Sequence, residues 1–160
     1  MVQALVRRSA NISLSSQRNF HSMKRTILNL FIFVVCILTG GMVNGIIVQY
    51  SGAIIPPPTG FDLTTEEGLK AAMAIMEPKH FIMPFLAHAI GTLVGAFLVT
   101  LLIKERKLFR ALLVGFLFFL AGTYMVFILP SPLWFDALDL GLAYIPMAWI
   151  GYKLALRISK

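Results

Sequence analysis

Leu133-Trp134-Phe135-Asp136-Ala137-Leu138-Asp139-Leu140-Gly141-Leu142-Ala143-Tyr144-Ile145-Pro146-Met147-Ala148-Trp149-Ile150-Gly151-Tyr152 is the stretch whose reading decides how many times this chain crosses a membrane. Only Leu140 to Tyr152 is free of charge. As helix that run reaches about 20 Å, whereas hydrocarbon is about 30 Å thick and takes roughly 20 apolar residues to span. A crossing helix must therefore begin near Leu133 and carry Asp136 and Asp139 with it. Trp134 and Phe135 at one end, and Trp149 and Tyr152 at the other, are amphipathic rings suited to two interfaces. Lys153 and Arg157 have stems long enough to reach the headgroups beyond. The stretch reads as a full span over about 133–152, kinked at Pro146, where the Leu142 carbonyl loses its helical donor.

Working outward, Asp, Glu, Lys and Arg are absent between Arg25 and Asp62, between Lys79 and Lys104, and between Arg110 and Asp136. These gaps hold three more spans, over about 27–50, 84–103 and 111–129. Pro84 stands in a first turn, where its missing N–H costs least, and Pro130 and Pro132 close the third. Composition agrees. Hydrophobic residues make up 58% and charged residues 13%, with a mean hydropathy of +0.83, too few charges to coat a water-soluble globule. A cytosolic enzyme and a nucleic-acid module are excluded, and the principal partner is the lipid bilayer. The single cysteine, Cys36, excludes an internal disulfide and any cysteine-based metal centre within one chain.

The expected fold is an all-α integral membrane bundle of four transmembrane helices. Lys24, Arg25, Lys104, Arg106, Lys107, Arg110, Lys153, Arg157 and Lys160 fall on one side, against Lys70 and Lys79 on the other. The positive-inside rule then places both termini in the cytoplasm. Most of the net charge of +7 is thus a topology signal. In the external loop, Pro56-Pro57-Pro58 forms a stiff strut. Thr64 and Glu67 offer a capping box for a short amphipathic helix over about 65–77, with Leu69, Met73 and Met76 on one stripe.

Residues 23–160 form the membrane domain, and residues 1–22 read as a disordered extension. Met23-Lys24-Arg25 before an apolar run suits a true start of a bacterial inner-membrane protein, the extension then being a misassigned start. Arg7, Arg8 and Arg18 with several Ser and no acid also suit a mitochondrial presequence, which would place the chain in the mitochondrial inner membrane.

Inside the spans, Gly41-x-x-x-Gly45 and Gly91-x-x-x-Gly95 read as rows where helix backbones approach closely, within the chain or in a homo-oligomer or membrane complex. Buried polar groups are costly in hydrocarbon and so carry more information. Asn44, His88, Tyr124 (or Thr123) and Asp139 all fall about five to seven residues, roughly 8–11 Å, from the external ends of their helices. Thr92 lies one turn below His88, and Asp136 one turn from Asp139. His88 and Asp139 are expected to interact. That layer reads either as a hydrogen-bonded knot fixing helix register or as a proton- or ligand-handling site. Asp136-x-x-Asp139 followed by Gly141 superficially resembles the membrane alcohol-phosphotransferases. The arginine and second aspartate pair that would cradle phosphates and metal are missing. His80 and His88 stand too far apart to share a metal, and no nucleotide loop or nucleophile elbow appears. No catalytic residue, metal or cofactor is expected.

Taken together, Pro56-Pro57-Pro58-x-Gly60-x-Asp62, Glu67 to Met73, Ala87-His88-x-x-Gly91-Thr92-x-x-Gly95-Ala96 and Pro132-x-Trp134-Phe135 resemble a family of small, uncharacterised four-helix bacterial inner-membrane proteins. The resemblance covers about residues 23 to 160. It implies the architecture and the inner membrane, and no activity. The expected role is a non-enzymatic structural or accessory membrane subunit with a small buried polar site. The alternative is a small transporter or proton-linked permease using His88 and Asp139.

Overall fold

The computed structural model describes the backbone of residues 1–159 and the side chains of Met1, Phe20 and residues 22–159. It is all α: α1 (Val2–Ile54), α2 (Glu66–Met73), a 3₁₀ turn (Pro78–Phe81), α3 (Ile82–Leu102), α4 (Lys107–Ile128), α5 (Leu133–Leu142) and α6 (Ile145–Ile158). Four stretches are long and apolar enough to cross a membrane: Ser22–Ile54, Pro78–Leu102, Lys107–Ile128 and Leu133–Ile158.

Prolines set most of the boundaries. Ile55 and Leu129 both turn extended directly before a proline, because the proline ring disfavours helix in the residue preceding it. Pro132 is the N-cap of α5. Between α3 and α4 the chain reverses over 103–106 by placing Arg106 in the left-handed region, at φ 47°. Glu105 ties that turn to α1 by pairing with Arg25 and accepting the side-chain N–H of Asn29 at 2.8 Å.

Three expected boundaries change. Helix α1 runs back to Val2, where a disordered extension was expected over 1–22. That stretch contains no Gly or Pro, and extending an existing helix is far easier than nucleating one. The loop helix is shorter than 65–77 and its cap is Thr65, whose hydroxyl accepts the N–H of Gly68 at 3.1 Å. Thr64 serves Asp62 instead, donating its hydroxyl at 2.6 Å and its N–H at 2.9 Å. Those two bonds, side chain first, hold the Asp62 carboxyl below its ordinary range. Glu66 is lowered likewise by the hydrogen bond and charge of Lys70. Finally, the fourth span is broken rather than kinked. α5 stops at Leu142, Ala143 and Tyr144 form a turn, and α6 restarts with Pro146 in its first turn.

Helix α3 is the hub. It packs on α1, α4 and α6, α4 and α6 pack together, and α1 lies chiefly on α3. The seams are lined by small residues. A Cβ on Gly40 would stand 2.6 Å from the Gly91 carbonyl oxygen, and one on Gly151 would stand 2.5 Å from that of Leu93. Large apolar side chains point outward instead, among them Phe31, Leu38, Phe109, Phe116 and Phe127. Such an inverted surface fits contact with lipid.

Candidate functional site

At the end of the bundle carrying the 51–79 loop, α3, α5 and the turn before α6 converge. His88 stands on α3 two turns from its start, and Asp139 faces it from α5. The Nδ1 of His88 lies 2.9 Å from both carboxylate oxygens of Asp139. The hydroxyl of Tyr144 donates to Asp139 Oδ2 at 2.8 Å. With the carboxylate accepting, the proton of the pair sits on Nδ1, and in a neutral ring Nε2 is then the acceptor. The rings of His88 and Tyr144 stack at 5.8 Å and 27°. Phe119 meets Tyr144 edge-on at 6.2 Å.

Tyr144 was not foreseen as part of this layer. In an unbroken helix, residues five apart stand roughly 140° around the axis, so Tyr144 could not face Asp139. The turn at Ala143 and Tyr144 brings its hydroxyl back. Gly122 on α4 leaves it room: a Cβ there would collide with the Tyr144 hydroxyl and ring.

The hydroxyl expected from α4 is not the one used. Tyr124 is 65% exposed and points away from the bundle. It lies about 200° around α4 from inward-facing Gly122. Thr123 turns its hydroxyl back to the Phe119 carbonyl at 2.8 Å. Asn44 packs on Gly91, in the α1–α3 seam, and no hydrogen bond joins it to His88 or Asp139 among the described residues. Thr92 is fully buried, with its hydroxyl unpartnered. Of the two glycine rows, Gly91 and Gly95 lie in the α1–α3 seam, but Gly41 and Gly45 have nothing within 4 Å of a built Cβ. The α1 row is Cys36, Gly40 and Asn44. Position 41 lies 100° further round the helix and faces outward.

Asp136 is 8% exposed. Its Oδ1 accepts the hydroxyl of Ser131. Its Oδ2 has no hydrogen-bonding partner among the described residues, and neither does Nε2 of His88, yet neither atom is sealed from solvent. Both residues line one cavity of about 670 Å³, which Asp139 also borders. Met73 and Met76 from the loop, with Met125 and Phe135 from the bundle, make much of its wall apolar. His80 holds the loop over it. Its Nδ1 accepts the Glu77 N–H at 3.0 Å, so Nε2–H donates to the Pro56 carbonyl at 3.1 Å. No cluster of metal-ligating side chains occurs among the described residues.

No protein-family model, curated protein or solved structure matches this chain.

Proposed function

We propose that this chain is a multi-pass integral membrane protein that receives a small apolar molecule in the cavity beside His88 and moves a proton on that histidine: a small proton-linked carrier. Its termini and the 103–106 turn lie in the cytoplasm, by the count of basic residues. The cavity then opens from the external side. The home membrane is the bacterial inner membrane, in keeping with the family its motifs resemble.

One observation carries this reading. The polar layer is not sealed, since Nε2 of His88 has no hydrogen-bonding partner among the described residues and the residue lines a ligand-sized cavity. A proton taken at Nε2 turns the ring into a cation whose counter-charge is already in place at Asp139, with Tyr144 donating to the same carboxylate. Among the described residues, Asp136 and Asp139 are the only carboxylates on the wall, and neither Lys nor Arg lines it.

The test begins with small molecules released from protein purified out of native membrane and identified by mass spectrometry. These are added to proteoliposomes holding a pH-sensitive dye. Wild type should show ligand-dependent proton movement. His88→Asn keeps an N–H for Asp139 but cannot titrate, and should show none. Equal movement by a folded His88→Asn protein refutes the proposal.

A second reading, a self-associating structural subunit, draws on the outward-facing Gly41-x-x-x-Gly45 row, which a second copy of α1 could approach closely. A native-gel oligomer left intact by Gly41→Leu removes it.

A further inference from the structure

The two acids of the cavity are not equivalent. Asp139 is served by two donors, the ring of His88 and the hydroxyl of Tyr144. Asp136 is also buried, at 8% exposure against 4% for Asp139, and has only the neutral hydroxyl of Ser131. No Lys, Arg or His pairs with it among the described residues. Its position in the first turn of α5 favours an anion through the helix dipole, but a dipole is not a counter-ion. A buried carboxylate beside an apolar wall is costly until a cation neutralises it.

The rest of the cavity describes the remainder of that cation. Four methionines, Met73, Met76, Met83 and Met125, and the rings of Phe81 and Phe135 contribute to the wall. Thioethers adapt to irregular apolar shapes, and ring faces attract cations. A hydrated inorganic ion would gain nothing from such a surface. At about 670 Å³ the space matches a small organic ligand.

We infer that the occupant is a lipophilic monocation, an ammonium group on an apolar body, whose charge pairs with Oδ2 of Asp136. The inference rests on the carrier reading for the cavity's being a ligand site, and adds the charge of the ligand, which that reading leaves open.

The experiment uses the full chain in phosphatidylcholine nanodiscs, with empty discs as the partition control. Two probes of one shape are compared at neutral pH: 1-naphthylmethylamine, which is protonated, and 1-naphthylmethanol, which is not. Wild type should bind the amine at least about tenfold more tightly than the alcohol, a difference of about 1.4 kcal/mol. Asp136→Asn should lose that preference, and Asp136→Glu should keep it. Equal affinities in wild type, or a preference surviving in folded Asp136→Asn, overturn the inference. Should Asp136→Asn fail to fold, the wild-type pair of probes decides alone. Alcohol binding as tight as amine binding leaves the carrier reading standing and removes only the cation. Binding of neither probe above empty discs removes both.

Discussion

Adjacent glycines on α1 should respond to the same substitution with opposite signs. In Gly40→Ala the new methyl carbon would stand 2.6 Å from the Gly91 carbonyl oxygen, 3.2 Å from Gly95 Cα and 3.3 Å from Gly95 N. All three are backbone atoms, so no side chain can swing aside. Carbon–oxygen contacts between packed helices settle at about 3.3–3.6 Å, so α1 and α3 must part by roughly 0.7–1 Å at the crossing. A gap of that size forfeits a quarter to a half of each neighbouring dispersion contact, and overpacking of this kind costs about 1–3 kcal/mol. Helix propensity returns about 0.5–1 kcal/mol for replacing glycine by alanine. Gly40→Ala should therefore destabilise by roughly 1 kcal/mol, within a span of about 0–2.5 kcal/mol. Gly41→Ala, with nothing within 4 Å, keeps only the gain and should be neutral or slightly stabilising. Reversible unfolding in mixed micelles, followed by circular dichroism, measures both, with Gly45→Ala as a second outward-facing control. Equal losses at positions 40 and 41, or the larger loss at 41, would refute the packing argument.

Gly122→Ala should push the Tyr144 ring off Asp139 and cost about 1.5–3 kcal/mol, the range for a hydrogen bond to a charged group. Tyr144→Phe should cost a similar amount, and adding Gly122→Ala to it should cost markedly less than the sum in a double-mutant cycle. Asp139→Asn should destabilise by about 1.5–3 kcal/mol because it weakens two donated bonds, whereas Asp136→Asn should be neutral or stabilising because it relieves an unpaired buried charge; the two unfolding midpoints must move apart. In the loop, the lowered carboxyls of Asp62 and Glu66 stabilise folded structure above the unfolded carboxyl range of about 4, and that contribution fades as pH falls through the lowered folded values. Amide exchange over 64–70, corrected for its intrinsic pH dependence, should lose protection below about pH 4 and stay level between about pH 6 and 8.

Spans were legible because hydrophobic length and the spacing of charges act over twenty residues at a time, and no tertiary contact can disguise them. Depth was legible for the same reason. Asp139 is carried inward by the shortness of its apolar run, and the count of turns from the loop places His88 at the same level. Facing was harder, since it depends on the phase of each helix. Gly40, Gly41 and Gly45 offer two overlapping small-residue rows, and spacing alone does not choose between them. The choice falls to residue 36, where Cys continues the Gly40 row and Ile37 interrupts the other. Tyr124 failed on phase too, two positions beyond the inward-facing Gly122. Tyr144 could not be placed by any helical period, because its contact with Asp139 exists only where the helix stops. The seam glycine Gly151 lay in plain view in the opening stretch, but a single small residue carries no spacing to read.

The break between α5 and α6 is what gives Asp139 its second donor. In a continuous fourth span, Asp136 and Asp139 would stand on one side of the helix, and no residue five positions on could reach back to either. Asp139 would then have His88 as its sole donor. With the helix interrupted at Ala143 and Tyr144, the Tyr144 hydroxyl binds the carboxylate from a second direction, and its ring stacks on the imidazole. Pro146 keeps the break in place, because it has no N–H to offer the Leu142 carbonyl and cannot rejoin the helices across the turn. Gly122 supplies the space the returning ring needs. Nε2 of His88 and Oδ2 of Asp136 have no hydrogen-bonding partner among the described residues, and both belong to residues on the wall of the cavity. The fold thus holds one acid by two donors and the other by one, three residues apart on one short helix.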